Sequence, residues 1–173
     1  MSTQQNILSK GDWIVHVYHG VGQVQGRDKR TFQGEKQMFI RVEISDGLYW
    51  LPVANTNADY IRPLASKDQI KQALNLIRRP PEKLPEDHNE RGKEISERLK
   101  DVSLNTTAGM IRDLYARRVS ARLNTSEENA FRKTKNQFLN EWSVINGEGR
   151  GVLEKRLDDA LKIGIENIPI EEV

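Results

Sequence analysis

The sequence of 173 residues contains no cysteine, which excludes disulfide bonds, thiolate metal sites and a cysteine nucleophile. Long apolar runs are absent as well, so no segment is long enough to form a helix that spans a bilayer. Residues 1–6 lack the basic and then apolar layout of a signal peptide. Hydrophobic residues make up only 36% of the chain, whereas charged residues make up 30%. We therefore expect a cytoplasmic, highly charged protein with modest hydrophobic cores.

A large excess of one charge is also missing, because 27 Lys and Arg face 25 Asp and Glu. The charges are unevenly spread: residues 112–135 carry seven basic and three acidic side chains, and residues 136–173 carry four basic and eight acidic ones. Such a modest basic block is compatible with nucleic-acid contact and equally with solvated helix faces. It is far from the dense basic footprint of a self-sufficient DNA-binding protein.

The first third of the chain has the pattern of short β-strands separated by turns. Apolar residues alternate over 36–44, which is the period of a half-buried strand. Gln33-Gly34 marks one turn, and Asp46-Gly47 is expected to supply positive φ angles to a tight hairpin. The same reasoning predicts strands at 13–18, 24–30, 36–44, 48–53 and 60–63. Five short strands in about fifty residues favour a small barrel or a strongly bent sheet.

After Leu64 the apolar residues recur with the period of helices. Capping boxes predict helix starts at Ser66 and Thr125, and Pro80-Pro81 ends the first helix. A cap near Asp87, another start near residues 105–107 and a last helix from about residue 152 complete the set. We predict an all-α bundle of about five helices, and hence two domains, at residues 1–64 and 65–173.

No catalytic or metal-binding constellation is evident among the three histidines, His16, His19 and His88. His16 and His19 are three positions apart, and on a strand such positions face opposite sides, so we do not expect them to share a metal ion. No glycine-rich loop opens a helix with phosphate-binding spacing. The sequence therefore favours a protein without enzymatic activity or a cofactor.

Residues 11–24, with the sequence GDWIVHVYHGVGQV, closely resemble the opening of the CarD/CdnL family, which shares this domain with the transcription-repair coupling factor. The helical half is similar to the family as well, through IRDLYARR at 111–118. Between these segments the match runs through RTFQGE at 30–35, YWLPV at 49–53 and IRP at 61–63.

The resemblance implies an α+β protein whose N-terminal Tudor-like or SH3-like bent β-barrel precedes the helical bundle. In that family the β-domain binds the β subunit of bacterial RNA polymerase, one strand pairing with a strand edge of the polymerase. Arg30 matches a basic family residue at this contact, and Thr31 and Phe32 lie on the same strand. Trp50 stands where some relatives have arginine, and it is either an interface anchor or a core residue.

The helical half of the family binds promoter DNA at the upstream edge of the melted region, where a tryptophan wedges into the minor groove. His88 occupies the aligned position here. Arg91 and Lys93 match basic positions of the family, and Lys133 and Lys135 are kept. Acidic residues replace two further basic positions, which reduces the number of phosphate contacts that the family pattern would give.

The leading interpretation is a non-enzymatic transcription regulator that binds the RNA polymerase β subunit and touches promoter DNA near the transcription bubble. The alternative is a polymerase-bound adaptor whose helical domain contacts another protein. A small-molecule enzyme is a third hypothesis, which a deep pocket lined by convergent polar groups would favour. We expect no membrane partner and no small-molecule substrate.

Overall fold

A computed structural model describes residues 7–170 of the chain, so residues 1–6, which enter the signal-peptide argument, lie outside it. The chain divides into two compact units, Met1–Leu64 and Ala65–Val173, here called the β unit and the helical unit. The first consists of an antiparallel sheet and the second of helices. The predicted α+β layout with two domains is confirmed.

Over residues 7–64 the β unit is one antiparallel sheet of five strands in the order β4-β3-β2-β1-β5. A short 3₁₀ helix, Val53–Asn55, follows β4. A bulge between Val24 and Gly26 shifts the register of β2 against β3, and such bulges bend the strand that carries them. The strands are β1 (Trp13–His16), β2 (Gly20–Phe32), β3 (Glu35–Ile44), β4 (Gly47–Pro52) and β5 (Ile61–Pro63).

One face of this sheet carries the core of the β unit. Its buried members are Ile14, Val24, Ile40, Val42 and Leu51. Gly22 lies so close to this core that an added Cβ atom would stand 2.6 Å from the Cγ1 atom of Val42. The alternation predicted for residues 36–44 is confirmed at Ile40 and Val42, whereas Met38 is exposed and its neighbour Phe39 is buried. Glycine at position 22 allows β2 and β3 to approach.

The two hairpin turns differ in geometry. Gln33 and Gly34 join β2 to β3 with φ angles of 50° and 83°, which is the left-handed geometry of a tight hairpin. The prediction for the second turn is wrong, because neither Asp46 nor Gly47 has a positive φ angle and Gly47 already belongs to β4, where it pairs with Ile44. The turn residues are Ser45 and Asp46, and Gln33 is the sole residue other than glycine with positive φ between residues 7 and 170.

Between residues 65 and 170 the helical unit contains five helices, as predicted. Ser66 and Gln69 form the capping box of the first helix, whereas the box of the fourth is formed by Asn124 and Glu127, one residue earlier than predicted. Each box satisfies backbone N–H groups that have no partner inside the helix. The helices are α1 (Lys67–Ile77), α2 (His88–Leu99), α3 (Leu104–Ser120), α4 (Thr125–Asn146) and α5 (Arg150–Glu166).

The core of the helical unit is apolar but is crossed by buried charged groups. Asp113 is buried and accepts hydrogen bonds from the guanidinium groups of Arg98 and Arg112, each at 2.8 Å. Its Oδ1 atom also accepts from the backbone N–H of Glu82, which holds the proline-rich segment before α2 against α3. Gly164 of α5 lies directly against the end of α1, close to the carbonyl oxygen of Ile77.

Candidate functional site

The strand register of the β unit places a group of polar and aromatic residues on the face opposite its core. Trp50 of β4 lies opposite Arg41 of β3, and Asp28 of β2 lies opposite Phe39 of β3. Residues that are directly opposite in an antiparallel sheet project to the same side. Arg30 follows Asp28 by two residues and therefore joins the same face.

These side chains form a connected set. Arg41 Nη1 donates to both carboxylate oxygens of Asp28, each at 2.9 Å, and the indole Nε1 of Trp50 donates to Asp28 Oδ2 at 2.9 Å. The guanidinium carbon of Arg30 lies 4.0 Å from the centroid of the Trp50 ring, a cation–π arrangement. We call Asp28, Arg30, Arg41 and Trp50 the tryptophan cluster.

The tryptophan cluster fixes the ionisation of its carboxylate. The indole hydrogen bond from Trp50 lowers the pKa of Asp28 most, burial raises the pKa, and the charges of Arg41 and Arg30 lower it again. The net shift is downward, so Asp28 is ionised at neutral pH and balances one of the two guanidinium charges.

The structure excludes the core interpretation of Trp50, and its role as an interface anchor stays a prediction. Its side chain is 38% exposed and lies outside the core of the β unit, and Phe32 on the same face is 53% exposed. Phe32 packs edge-on against Phe39, with ring centroids 6.5 Å apart. Thr31 lies between Arg30 and Phe32 on β2 and is exposed on the other side of the sheet. Three of the four predicted polymerase contacts therefore share one face.

Two strand segments beside this face have free hydrogen-bonding edges within the part of the chain that the structure describes. β4, the strand that carries Trp50, is an outermost strand of the sheet. Residues 27–32 of β2 pair with β3 alone, because β1 covers β2 only up to Val24. An exposed strand edge presents unpaired N–H and C=O groups to which another strand can add.

An aromatic cluster lies at the other end of the sheet. It shows that the expectation of His16 and His19 on opposite sides of a strand is wrong. The rings of His16 and His19 lie 4.6 Å apart, and His19 stacks on Tyr49 at 4.4 Å. The two histidines meet because β1 ends at His16 and the following turn reverses the chain. Over residues 7–170 no group of three or more histidines and carboxylates has the arrangement of a metal site.

In the helical unit, His88 is the first residue of α2 and is exposed. The preceding Asp87 caps this helix by accepting hydrogen bonds from the backbone N–H groups of Asn89 and Glu90. Lys93, one and a half turns further, is also exposed. These two predicted DNA contacts can therefore meet a partner without rearrangement.

Arg91 differs from this expectation, because it is only 5% exposed. Its Nε atom donates to Glu127 Oε1 at 2.5 Å, and its Nη1 atom donates to the carbonyl oxygens of Pro85 and Glu86. Burial raises the pKa of Glu127, but the hydrogen bonds from Arg91 and from the Asn124 backbone, together with the charges of Arg91 and Arg117, outweigh it, so the net shift is downward. Arg91 thus joins α2 to α4 inside the fold and is not available to a phosphate.

The two lysines of α4 are also partly engaged by the fold. Lys135 Nζ lies 3.2 Å from Glu154 Oε1 and 3.2 Å from Asp158 Oδ1, so it connects α4 to α5. Lys133 is half-buried. Three exposed arginines lie near the end of α3 and in the first half of α4: Arg118, Arg122 and Arg132. The sequence analysis did not name them as site residues, although they belong to the basic block at 112–135.

A second surface feature of the helical unit is a groove of about 520 Å³. It lies between the proline-rich segment, the C-terminal half of α3 and the end of α5. Its wall is largely apolar, with Pro80, Pro81, Leu84, Ala116, Val119 and Ile168 among its members. No helix within residues 7–170 combines the length and the apolar character needed to cross a membrane.

Comparisons with known proteins cover both units. The family model described as the CarD-like/TRCF RID domain matches residues 8–65, and the model of the CarD C-terminal domain matches residues 72–158. A protein of Bacillus subtilis (strain 168) named "Putative transcription factor YdeB" is 25% identical over 149 residues, which is 85% of this chain and 95% of the relative. The family resemblance found in the sequence is confirmed.

Proposed function

The chain belongs to the CarD-like family of transcription factors, and we propose that it binds the β subunit of bacterial RNA polymerase through its β unit and touches promoter DNA through its helical unit. In this proposal the protein is a cytoplasmic, non-enzymatic regulator that changes the stability of the open promoter complex. The β unit supplies most of the affinity, and the helical unit acts on DNA that the polymerase already holds.

The observation that carries the docking half is the stacking of Arg30 on Trp50 beside a free strand edge. Tryptophan and arginine are the side chains most enriched at energetic hot spots of protein interfaces. A strand of the polymerase that adds to β4 would gain main-chain hydrogen bonds, and the tryptophan cluster would supply specificity at its flank. Phe32 extends the same exposed face.

The DNA half rests on fewer residues. His88 and Lys93 are exposed on α2, whereas Arg91 and Lys135 hold helices together. Few phosphate contacts give weak affinity for free DNA, because each neutralised phosphate contributes through counterion release. Docking on the polymerase raises the effective concentration of the helical unit at the promoter, so weak contacts are sufficient.

The test measures the lifetime of open complexes that polymerase forms on a promoter, with the full-length protein and two variants. We expect the wild type to change the lifetime, and we expect Arg30→Glu to weaken polymerase binding at least about tenfold and to lessen this effect accordingly. Lys93→Glu should keep polymerase binding but lessen the effect and reduce the slope of its salt dependence by about one phosphate contact. Lys162→Glu, an exposed lysine of α5, is the matched control.

The adaptor hypothesis is the second candidate, and the apolar groove of the helical unit is the observation that favours it. An adaptor would act through protein contacts, which do not release counterions from DNA. An open-complex effect that persists in Lys93→Glu, with an unchanged salt slope, would support the adaptor and contradict the DNA contact.

A further inference from the structure

We propose that Asp28 is a positioning residue of the docking surface, holding Trp50 and Arg41 so that the indole ring and Arg30 face the partner as one unit. The inference rests on the proposed function for the identity of the partner. Neither composition nor the family resemblance indicated a role for Asp28. The geometry of the sheet does, because it places Asp28 in contact with both Trp50 and Arg41.

Asp28 is the shared acceptor of the tryptophan cluster. The indole N–H of Trp50 and the Nη1 group of Arg41 both bond to its carboxylate at 2.9 Å, from two different strands. An exposed tryptophan without such a bond can occupy several rotamers, and binding must then order it at a cost in free energy. The carboxylate fixes the ring before the partner arrives, and Arg30 stacks on the fixed ring.

Asp28 also sorts the two guanidinium charges. Arg41 directs Nη1 to both oxygens of the carboxylate, so its charge is balanced within the protein. Arg30 instead lies over the ring, where the indole face carries no full negative charge to neutralise it. The cluster thereby holds one more cation than anions, with the guanidinium group of Arg30 next to an apolar ring.

A purely structural role does not account for this arrangement. The core cluster of the β unit lies on the other face of the sheet and contributes no member to the tryptophan cluster. Phe39, which is buried on the same face as Asp28, packs against Phe32. Asp28 and Arg41 retain 30% and 37% of their side-chain exposure. Exposed ion pairs of this kind contribute little to folding, which leaves recognition as the property that Asp28 can affect most.

The experiment measures the affinity of the full-length protein for the polymerase β lobe by calorimetry, with Asp28→Ala, Asp28→Asn and the matched control Asp46→Ala in the β3–β4 turn. We expect Asp28→Ala to weaken binding about two- to tenfold, the effect of losing one ordering hydrogen bond. Asp28→Asn should lose less, because its amide oxygen can still accept the indole N–H. Asp46→Ala should bind like the wild type.

Two readouts separate positioning from a loss of folding. In a Trp50→Phe background, which has no indole N–H, the effect of Asp28→Ala should fall below about twofold, since the two substitutions act on one interaction. The indole Nε1–H resonance of Trp50 should shift in Asp28→Ala, while the Trp142 resonance stays in place. A structural role predicts equal losses of affinity in both backgrounds.

The outcomes distinguish this inference from the proposed function. Wild-type binding that Arg30→Glu weakens but Asp28→Ala leaves unchanged would overturn the positioning role and keep the docking site. An unmoved Trp50 resonance in Asp28→Ala would overturn it independently of any partner. Absence of wild-type binding would overturn the proposed function itself and, with it, the partner assigned to Asp28.

Discussion

Replacing Gly164 by alanine tests whether the close contact between α1 and α5 is needed for the packing of the helical unit. An added Cβ atom at this position would stand 2.6 Å from the carbonyl oxygen of Ile77 and 3.1 Å from that of Arg79. Both atoms belong to the backbone, so the contact cannot be relieved by turning a side chain. The two helices would have to move apart, which is the cost of overpacking a well-filled interface, about 1–3 kcal/mol.

Helix propensity favours alanine over glycine and therefore offsets part of the steric loss of stability. Alanine is favoured over glycine by about 1 kcal/mol in a helix interior, and by less at Gly164, two residues before α5 ends. The steric cost therefore exceeds the propensity gain. We expect Gly164→Ala to lower the free energy of unfolding by about 1 kcal/mol or more, with a fall in Tm of roughly 4 °C or more.

Gly109→Ala is the matched control, because Gly109 lies inside α3 and an added Cβ atom would meet only Leu76 Cδ2, at an ordinary 3.8 Å. There the propensity gain of up to about 1 kcal/mol should appear without a steric cost. Urea unfolding followed by fluorescence of the buried Trp142 reports on this unit. A Gly164→Ala protein as stable as the wild type would refute the reasoning, as would a destabilised Gly109→Ala.

Two further predictions concern stability. Glu127→Gln leaves buried Arg91 without its charged partner and should lower the free energy of unfolding at pH 7 by about 3–5 kcal/mol. The folded-state pKa of Glu127 is lowered, so its stabilisation is present above the unfolded-state pKa and is lost as the pH falls through the folded-state pKa. In urea unfolding between pH 7 and pH 3, the free energy of unfolding should accordingly fall less steeply with pH in the variant than in the wild type. An equal dependence on pH in the two proteins would contradict the role given to Glu127. Gly22→Ala should destabilise the β unit by about 1–3 kcal/mol, because the added Cβ atom would meet Val42 at 2.6 Å. Amide hydrogen exchange of β3 measures this, and Gly47→Ala, whose Cβ atom would meet nothing within 4 Å, should change it little.

The parts of the fold that the sequence predicted well are those governed by neighbouring residues. The starts of α1 and α4 were found to within a residue because the capping boxes at Ser66 and Asn124 lie within four consecutive positions. Helices α3 and α5, which have no capping box, begin before the predicted positions. The turn at Gln33-Gly34 was found for the same reason, since its left-handed φ angles are a local demand. The prediction at Asp46-Gly47 was wrong because the same pair of residues also fits a turn that ends at Asp46, with Gly47 as the first residue of the next strand.

The tryptophan cluster could not be predicted, because it depends on the register of three strands. Asp28 and Trp50 are 22 positions apart, and a register slip of one residue would turn their side chains to opposite faces. The bulge between Val24 and Gly26 changes that register and has no reliable local signal. Alternation could therefore leave Trp50 on either face, and the structure was needed to place it.

Burial of charged residues was equally out of reach. Arg91 was assigned to DNA because it matches a basic family position, but its role follows from Glu127, 36 residues later, and from two carbonyl oxygens before α2. His16 and His19 were expected on opposite sides of one strand, because the predicted strand continued past His16, where β1 ends. In both cases a tertiary contact overrides what residue type and spacing indicate.

The most direct test of the account is the affinity of the full-length protein for the polymerase β lobe, compared with its Arg30→Glu variant. Docking through the tryptophan cluster predicts micromolar or tighter binding by the wild type. It also predicts a loss of at least about tenfold in the variant, since the substitution reverses the charge that lies 4.0 Å from the Trp50 ring centroid. A folded variant that binds as tightly as the wild type, or a folded wild type that does not bind, would contradict it.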